Sequence, residues 1–378
     1  MPPLSSADEA AVRAIAFYLP QFHPVPENDE WWGKGFTEWT NVTRARAQFE
    51  GHDQPQLPAD LGFYDLRVPE TREQQAALAR EYGIHGFCYY HYWFSGRRIL
   101  ERPFNEVLAS GKPDFPFCLC WANESWGRNW DGKNHDVLLE QKYAPDDPQR
   151  MIEELLPAFH DARYIRIDNR PLFLVYRIEQ LPDPHAATRV WRAIARASGL
   201  DDLYIACVHG HRADFTPESM GCDAAIEFPP AGGLRIEGPW WRKTPLRSHR
   251  VRRLLRRAGL FSHGEAENSV LRYSALIDAA MARSTVPFRR FRGLCTGWDN
   301  SSRRPKGRAT IFRDNSPELY EGWLRRIVEQ TRREQPPGER LVFINAWNEW
   351  AEGAHLEPCQ KFGHGFLEAT RRALGPGA

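Results

Sequence analysis

Ala14-Ile-Ala-Phe-Tyr-Leu-Pro-Gln-Phe-His23 decides the fold. Its first half, Ala14–Pro20, is an apolar run of strand length. A doubly wound open sheet would normally place a glycine-rich turn after its first strand, so that backbone could approach a phosphate. Tyr18-Leu-Pro-Gln-Phe-His23 has no glycine at all. Outward from this strand the pattern repeats. Further candidate strands are Gly86–Trp93, Phe115–Asn123, Pro171–Tyr176, Leu203–His209, Ala224–Phe228, Gly293–Trp298 and Leu341–Trp347. Amphipathic segments lie between most of them. One starts at Thr71, with a capping box to Gln74, and stops at Gly83. Others are Pro148–Ala162, capped by Asp146 or Asp147, then Ala186–Ser198 ending at Gly199, Glu267–Arg283 and Pro317–Arg333. Eight strands that alternate with helices predict an α/β protein, a (β/α)8 TIM barrel.

Barrels of parallel strands often reach this length as one unit, so the 378 residues divide into a short tail, 1–12, and a single barrel, 13–374. Hydrophobic residues at 42% and charged residues at 26% describe a globular chain. The formal net charge of +1 gives no global attraction to nucleic acid. Seven cysteines, an odd number mostly inside apolar runs, read as reduced core residues. Cys118 and Cys120 share a strand face, but no second Cys/His pair offers zinc spacing. His209-Gly-His211 lacks an evident third ligand, so no metal is expected. The first residues lack a basic region followed by an apolar run, and no stretch is apolar enough to span a bilayer. A cytoplasmic location is therefore expected.

Three connections are long: 24–70, 229–266 and 299–316. In a barrel all three lie on the catalytic face and shape a cleft. The last strand runs into Asn345-Ala-Trp-Asn-Glu-Trp-Ala-Glu-Gly353. Its two carboxylates, Glu349 and Glu352, suit glycosidic-bond chemistry. One protonates the bridging oxygen while the other assists attack at the anomeric carbon. Aromatic and polar residues gather at the other strand ends, as sugar recognition requires. These are Tyr18 and His23, Tyr90, Tyr92 and Trp93, Trp121, Asn123, Glu124 and Trp126, His209, Glu227, Trp298 and Asp299, and Asn348 and Trp350. Trp39 joins them from the first long connection. Glu124 is a third candidate carboxylate. P-loop and nucleophile-elbow motifs are absent. Two basic segments, 247–257 and 301–308, read either as solvated faces or as contacts to a diphosphate or an anionic membrane.

Phe17–His23, Trp32-Gly-Lys-Gly-Phe-Thr-Glu-Trp-Thr-Asn41, Gly86-Phe-Cys-Tyr-Tyr-His-Tyr-Trp-Phe94 and Asn345–Gly353 together resemble the WbsX-like family. That family is described as glycosyltransferases of bacterial polysaccharide clusters and as glycoside hydrolase family 99-like. The resemblance covers residues 13 to 370. It implies a (β/α)8 barrel, a surface-polysaccharide or O-antigen lipopolysaccharide substrate, and no cofactor. Family 99 itself comprises retaining endo-α-mannosidases and mannanases. By correspondence with its Asn-Glu-Trp-x-Glu-Gly block, Glu349 would activate the sugar 2-hydroxyl and Glu352 would be the acid/base at the leaving oxygen. The first strand and the insertion at 28–65 depart from the hydrolase pattern.

The expected function is thus transfer to, or retaining hydrolysis of, a bacterial glycan or its lipid-linked precursor. The expected partner is that glycan, with no nucleic acid. The arginines of 247–257 add peripheral contact with the anionic inner membrane as an extension. A non-catalytic carbohydrate-binding barrel is the alternative.

Overall fold

Parallel strands close on themselves around an aromatic core. The computed structural model describes residues 11–127, 137–210, 212, 214–234, 236 and 268–375. The barrel strands are β1 (Arg13–Tyr18), β2 (Ile84–Phe94), β3 (Phe117–Trp121), β4 (Arg170–Val175), β5 (Tyr204–His209), β6 (Ala224–Glu227), β7 (Arg290–Cys295) and β8 (Leu341–Asn345). Each pairs in parallel with its sequence neighbours. Closure comes where β1 lies between β8 and β2, with Ile15 opposite Phe343 on one side and Phe17 opposite Cys88 on the other.

Parallel strands covered by helices are buried on both faces, which is why they read as continuous apolar runs. Inside, Phe17 packs 5.0 Å from Phe228 and 5.6 Å from Tyr90, and Tyr176 lies 5.4 Å from Phe228. These rings from four strands fill the axis, so the barrel is a packed core with a floor. All seven cysteines are buried and free.

The helices are α1 (Pro26–Trp32), α2 (Glu38–Arg44), α3 (Pro69–Glu81), α4 (Arg102–Ser110), α5 (Asp147–His160), α6 (Pro184–Ala197), α7 (Tyr273–Met281), α8 (Pro317–Glu334) and α9 (Gly365–Leu374). In α8 the buried residues Tyr320, Trp323, Leu324, Ile327, Val328 and Thr331 recur at three- and four-residue spacing, one face of a helix. Ser316 caps it by accepting from Leu319 N–H, and Asp183 caps α6 through Ala186 N–H.

Three local expectations are corrected. Helix α3 starts at Pro69, with Val68 at the cap position and no side-chain cap, because proline needs no N–H partner in the first turn. Neither Asp146 nor Asp147 caps α5; Asp147 turns back to accept from Ala144 N–H at 2.8 Å. Segment 267–283 is not one helix. Ser269–Arg272 is a strand paired in parallel with Thr310–Arg313, and only Tyr273–Met281 is helical. Partners in the loop after β7 override the local helical pattern there.

No described helix is long and apolar enough to cross a membrane. The basic segment 247–257 lies outside the described residues.

Where β6 and β7 meet, a Cβ on Gly293 would sit 2.0 Å from the carbonyl oxygen of Glu227. Backbone cannot yield as a flexible side chain can. Gly293→Ala should therefore destabilise the fold by about 3 kcal/mol, measured by urea unfolding. An unchanged midpoint would mean that the strands separate freely at this point.

Candidate active site

Side chains alternate along a strand, so only every second residue at a strand end reaches the axis. That rule selects the cleft lining. Leu19, Tyr90, Tyr92, Ala122, Glu124, Tyr176, Phe228 and Asn345 line a cleft of about 380 Å³. The loops add Gln21, Asn28, Trp31, Trp32, Glu38, Trp126, Trp298, Asn300, Arg303 and Arg304. Glu349 and Glu352 complete it.

Both glutamates follow β8. A two-residue ladder, Asn348–Glu349 against Ala354–His355, leads into the single 3-10 turn Trp350–Glu352. Gly353, at φ +62°, reverses the chain in a conformation that favours glycine. Asn348 pins this turn to the end of β1, accepting from Leu19 N–H at 2.8 Å and donating to Leu19 C=O at 3.0 Å. Behind it, Trp350 Nε1 donates to Glu357 at 2.6 Å. Glu357 also accepts from Tyr64 at 2.8 Å and Gln75 at 2.6 Å.

One guanidinium joins the carboxylates. Arg303 Nη2 lies 2.9 Å from Glu349 and Nη1 lies 3.6 Å from Glu352. A third carboxylate, Glu38 from the start of α2, meets the same Arg303 at Nη2 (3.0 Å) and Nε (3.1 Å). Burial pushes Glu349 well above the ordinary carboxylate range and also raises Glu352. Arg303 opposes that rise, and the neighbouring negative charge of Glu38 adds to it. Such a site can hold a proton and a negative charge side by side at neutral pH. That is the arrangement general acid–base catalysis needs.

Of the residues expected at the cleft, Tyr90, Tyr92, Glu124, Trp126, Trp298, Glu349 and Glu352 line it. The others do not, and strand alternation or loop anchoring explains most of them. Tyr18 points outward, donating to Gln75 on α3 at 2.7 Å. Trp93 and Trp121 also face out, linked by Trp121 Nε1 to the Trp93 carbonyl at 3.2 Å. Asn123 bonds both backbone groups of Arg177 at 2.8 Å. Glu227 is buried in an ion-pair cluster with Arg283, Arg290 and Arg292. His209 packs on Phe215 and Phe288, and burial lowers it to about 4. His23 is buried outside the cleft, likewise lowered to about 4. Trp39 is core, donating to the Tyr64 carbonyl at 2.8 Å and packing on Trp350. Asp299 ties two loops together, 2.7 Å from His52 and 2.9 Å from Gln54. Asn348 and Trp350 support the turn from behind.

Sequence reasoning missed Glu38, Arg303, Trp31 and Trp32. Glu38 and the tryptophans sit in the Trp-rich block of the first connection, a signal that was visible. Arg303 belongs to the basic segment 301–308, yet it is half-buried among carboxylates rather than on a solvated face. Glu124 pairs with Arg177, so it enters the cleft wall already engaged. No cluster of three or more His, Cys, Asp or Glu able to hold a metal occurs among the described residues.

A closed barrel with paired glutamates and aromatic walls at its C-terminal face is the architecture on which barrel enzymes of carbohydrate chemistry are built. The chain belongs to the family described as Glycosyltransferase WbsX, which matches residues 14–370. It is 45% identical over 361 residues to "Uncharacterized protein WxcX" from two strains of Xanthomonas campestris pv. campestris. That match covers 95% of this chain and 49% of the relative, so the chain spans about half the length of these curated relatives. Among solved structures, a "Glycoside hydrolase-like protein" superposes with TM-score 0.56 at 14% identity, covering 96% of this chain and 94% of that one. The GH99 endo-alpha-mannosidase from Bacteroides thetaiotaomicron gives TM-score 0.50, also at 14% identity and covering 96% of each chain. These likenesses concern the fold.

Burial raises Glu357 to about 7, against 4.5 for a free glutamate. Between those values the folded state binds the extra proton, so its stability falls as pH rises. Relative to Glu357→Gln, the native protein should lose up to about 3 kcal/mol between pH 4.5 and 7.5, measured by urea unfolding across that range. Parallel stability curves for the two proteins would show that Glu357 is already ionised at low pH.

Proposed function

We propose that this chain acts on a glycosidic bond of a bacterial surface polysaccharide or its lipid-linked precursor, by glycosyl transfer or by retaining hydrolysis. The observation that carries the reading is the pair Glu349, buried, and Glu352, half-buried, on one turn in an aromatic cleft and sharing Arg303. A sugar ring presents an apolar face that stacks on tryptophan, and hydroxyls that take polar groups. Trp31, Trp126 and Trp298 offer the first, and Gln21, Asn300 and Asn345 offer the second. In this reading one glutamate protonates the leaving oxygen and the other, ionised, takes a proton from the attacking group. If the route of family 99 applies, Glu349 accepts the proton of the sugar 2-hydroxyl and Glu352 serves the leaving oxygen. Transfer and hydrolysis then differ only in whether an acceptor hydroxyl or water completes the reaction.

The test begins with a screen of neutral oligosaccharides, nucleotide sugars and lipid-linked glycans for turnover. On the substrate found, Glu349→Gln and Glu352→Gln should each lower turnover by at least about 10²-fold with the fold intact. Normal turnover in both variants would move the chemistry elsewhere, with Glu124 next to test. Saturable glycan binding without turnover would favour the non-catalytic binding protein.

The reading also places the protein in the cytoplasm, against the inner leaflet. Six arginines between 247 and 257 should then bind anionic liposomes at low salt and release at high salt in a sedimentation assay. Absence of binding at low salt leaves a soluble enzyme acting on free glycan.

A further inference from the structure

We propose that Glu38 is the third carboxylate of this site, a positioning residue that acts through Arg303 to keep one proton on the Glu349–Glu352 pair. The inference rests on the catalytic reading above and extends it to a residue on a different loop. Glu38 holds two of the guanidinium nitrogens, Nη2 at 3.0 Å and Nε at 3.1 Å. Nη2 is also the nitrogen that meets Glu349. Glu352 is left with the longest contact, 3.6 Å at Nη1. The Glu38 side chain is only 4% exposed, so water cannot compensate for its charge. One guanidinium therefore faces three carboxylates, and full ionisation of all three would crowd like charges in a buried site. Keeping a proton on the pair relieves that excess.

Other groups around the cluster do not remove it. Arg304 acts on Glu352 from the same loop as Arg303. Tyr90 and Tyr92, from β2, face Glu349, and burial raises both phenols, so they remain neutral. Glu124 and Glu352 both act on Tyr176, whose phenol burial raises, and Glu124 is itself paired with Arg177. Gln21 accepts from Arg303 at 3.4 Å and helps fix its plane without adding charge. Glu38 is thus the charge that competes with the pair for Arg303. Without it the guanidinium would serve Glu349 and Glu352 alone, and the pair would lose its proton at lower pH.

The experiment needs no substrate. Infrared spectroscopy of the full chain reads the carbonyl stretch of a protonated carboxylic acid as a function of pH. A Glu357→Gln background removes the buried acid behind the turn, which burial raises to about 7. The band should be present at neutral pH and vanish in the Glu349→Gln/Glu352→Gln double variant. Glu38→Gln should lower its titration midpoint by at least about one pH unit. Glu38→Asp, which withdraws the carboxylate from Arg303, should shift it in the same direction by less, and serves if the glutamine variant fails to fold. A midpoint unchanged by either substitution overturns the proposal, as does a band that survives the double variant. Once a substrate is known, the same shift should appear in the pH profile of turnover. A shifted infrared midpoint with turnover indifferent to Glu349 and Glu352 would refute the catalytic reading and spare this one.

Discussion

A half-buried guanidinium with three carboxylates around it can be held only by a rigid frame, and the closed barrel supplies that frame. Its contributors are far apart in sequence. Glu38 comes from the loop after β1, Arg303 from the loop after β7, and the glutamate pair from the turn after β8. Ring closure makes β1 and β8 neighbours, so the loops that follow them meet. An open sheet would leave its first and last strands at separate edges. The charge cluster therefore depends on closure as much as on the residues that form it.

A second layer keeps this arrangement from relaxing. Asn348 takes the place of a strand partner for Leu19, satisfying both of its backbone groups in the interior. Glu357 gathers a phenol, an amide and an indole behind the turn. Each of these donors lies away from the cleft. Their work is to set where the two glutamates stand, and several conspicuous aromatic residues belong to that support. Trp350 and Trp39 pack together there, 5.7 Å apart. Aromatic richness near the glutamates is thus partly a scaffold and only partly a surface for ligand.

The barrel was legible because buried parallel strands write themselves as uninterrupted apolar runs. The glutamate pair was legible because charged residues seldom follow such a run directly. Individual cleft residues were harder to read. Tyr18 and Leu19, Trp121 and Ala122, or Asn123 and Glu124 differ in facing by the pleat alone, and the more chemically suggestive neighbour was often the wrong one. A parity count from Phe17 or Tyr90 would have sorted many of them. Arg303 resisted reading for another reason. Its sequence neighbours are basic and polar, and nothing local states that its partners arrive from residues 38, 349 and 352. Ser269–Arg272 failed similarly, since its strand partner lies at 310–313.

The bond between Leu19 and Asn348 joins positions 329 residues apart in the chain. During synthesis, Glu38 leaves the ribosome long before the residues that neutralise it. Until the loop after β7 follows with Arg303, it is a carboxylate beside a half-formed apolar surface, with water as its only counterpart. The charge cluster is consequently among the last features to assemble, and it requires both ends of the barrel at once. A prematurely terminated barrel would lack the whole glutamate turn rather than retain a weakened one.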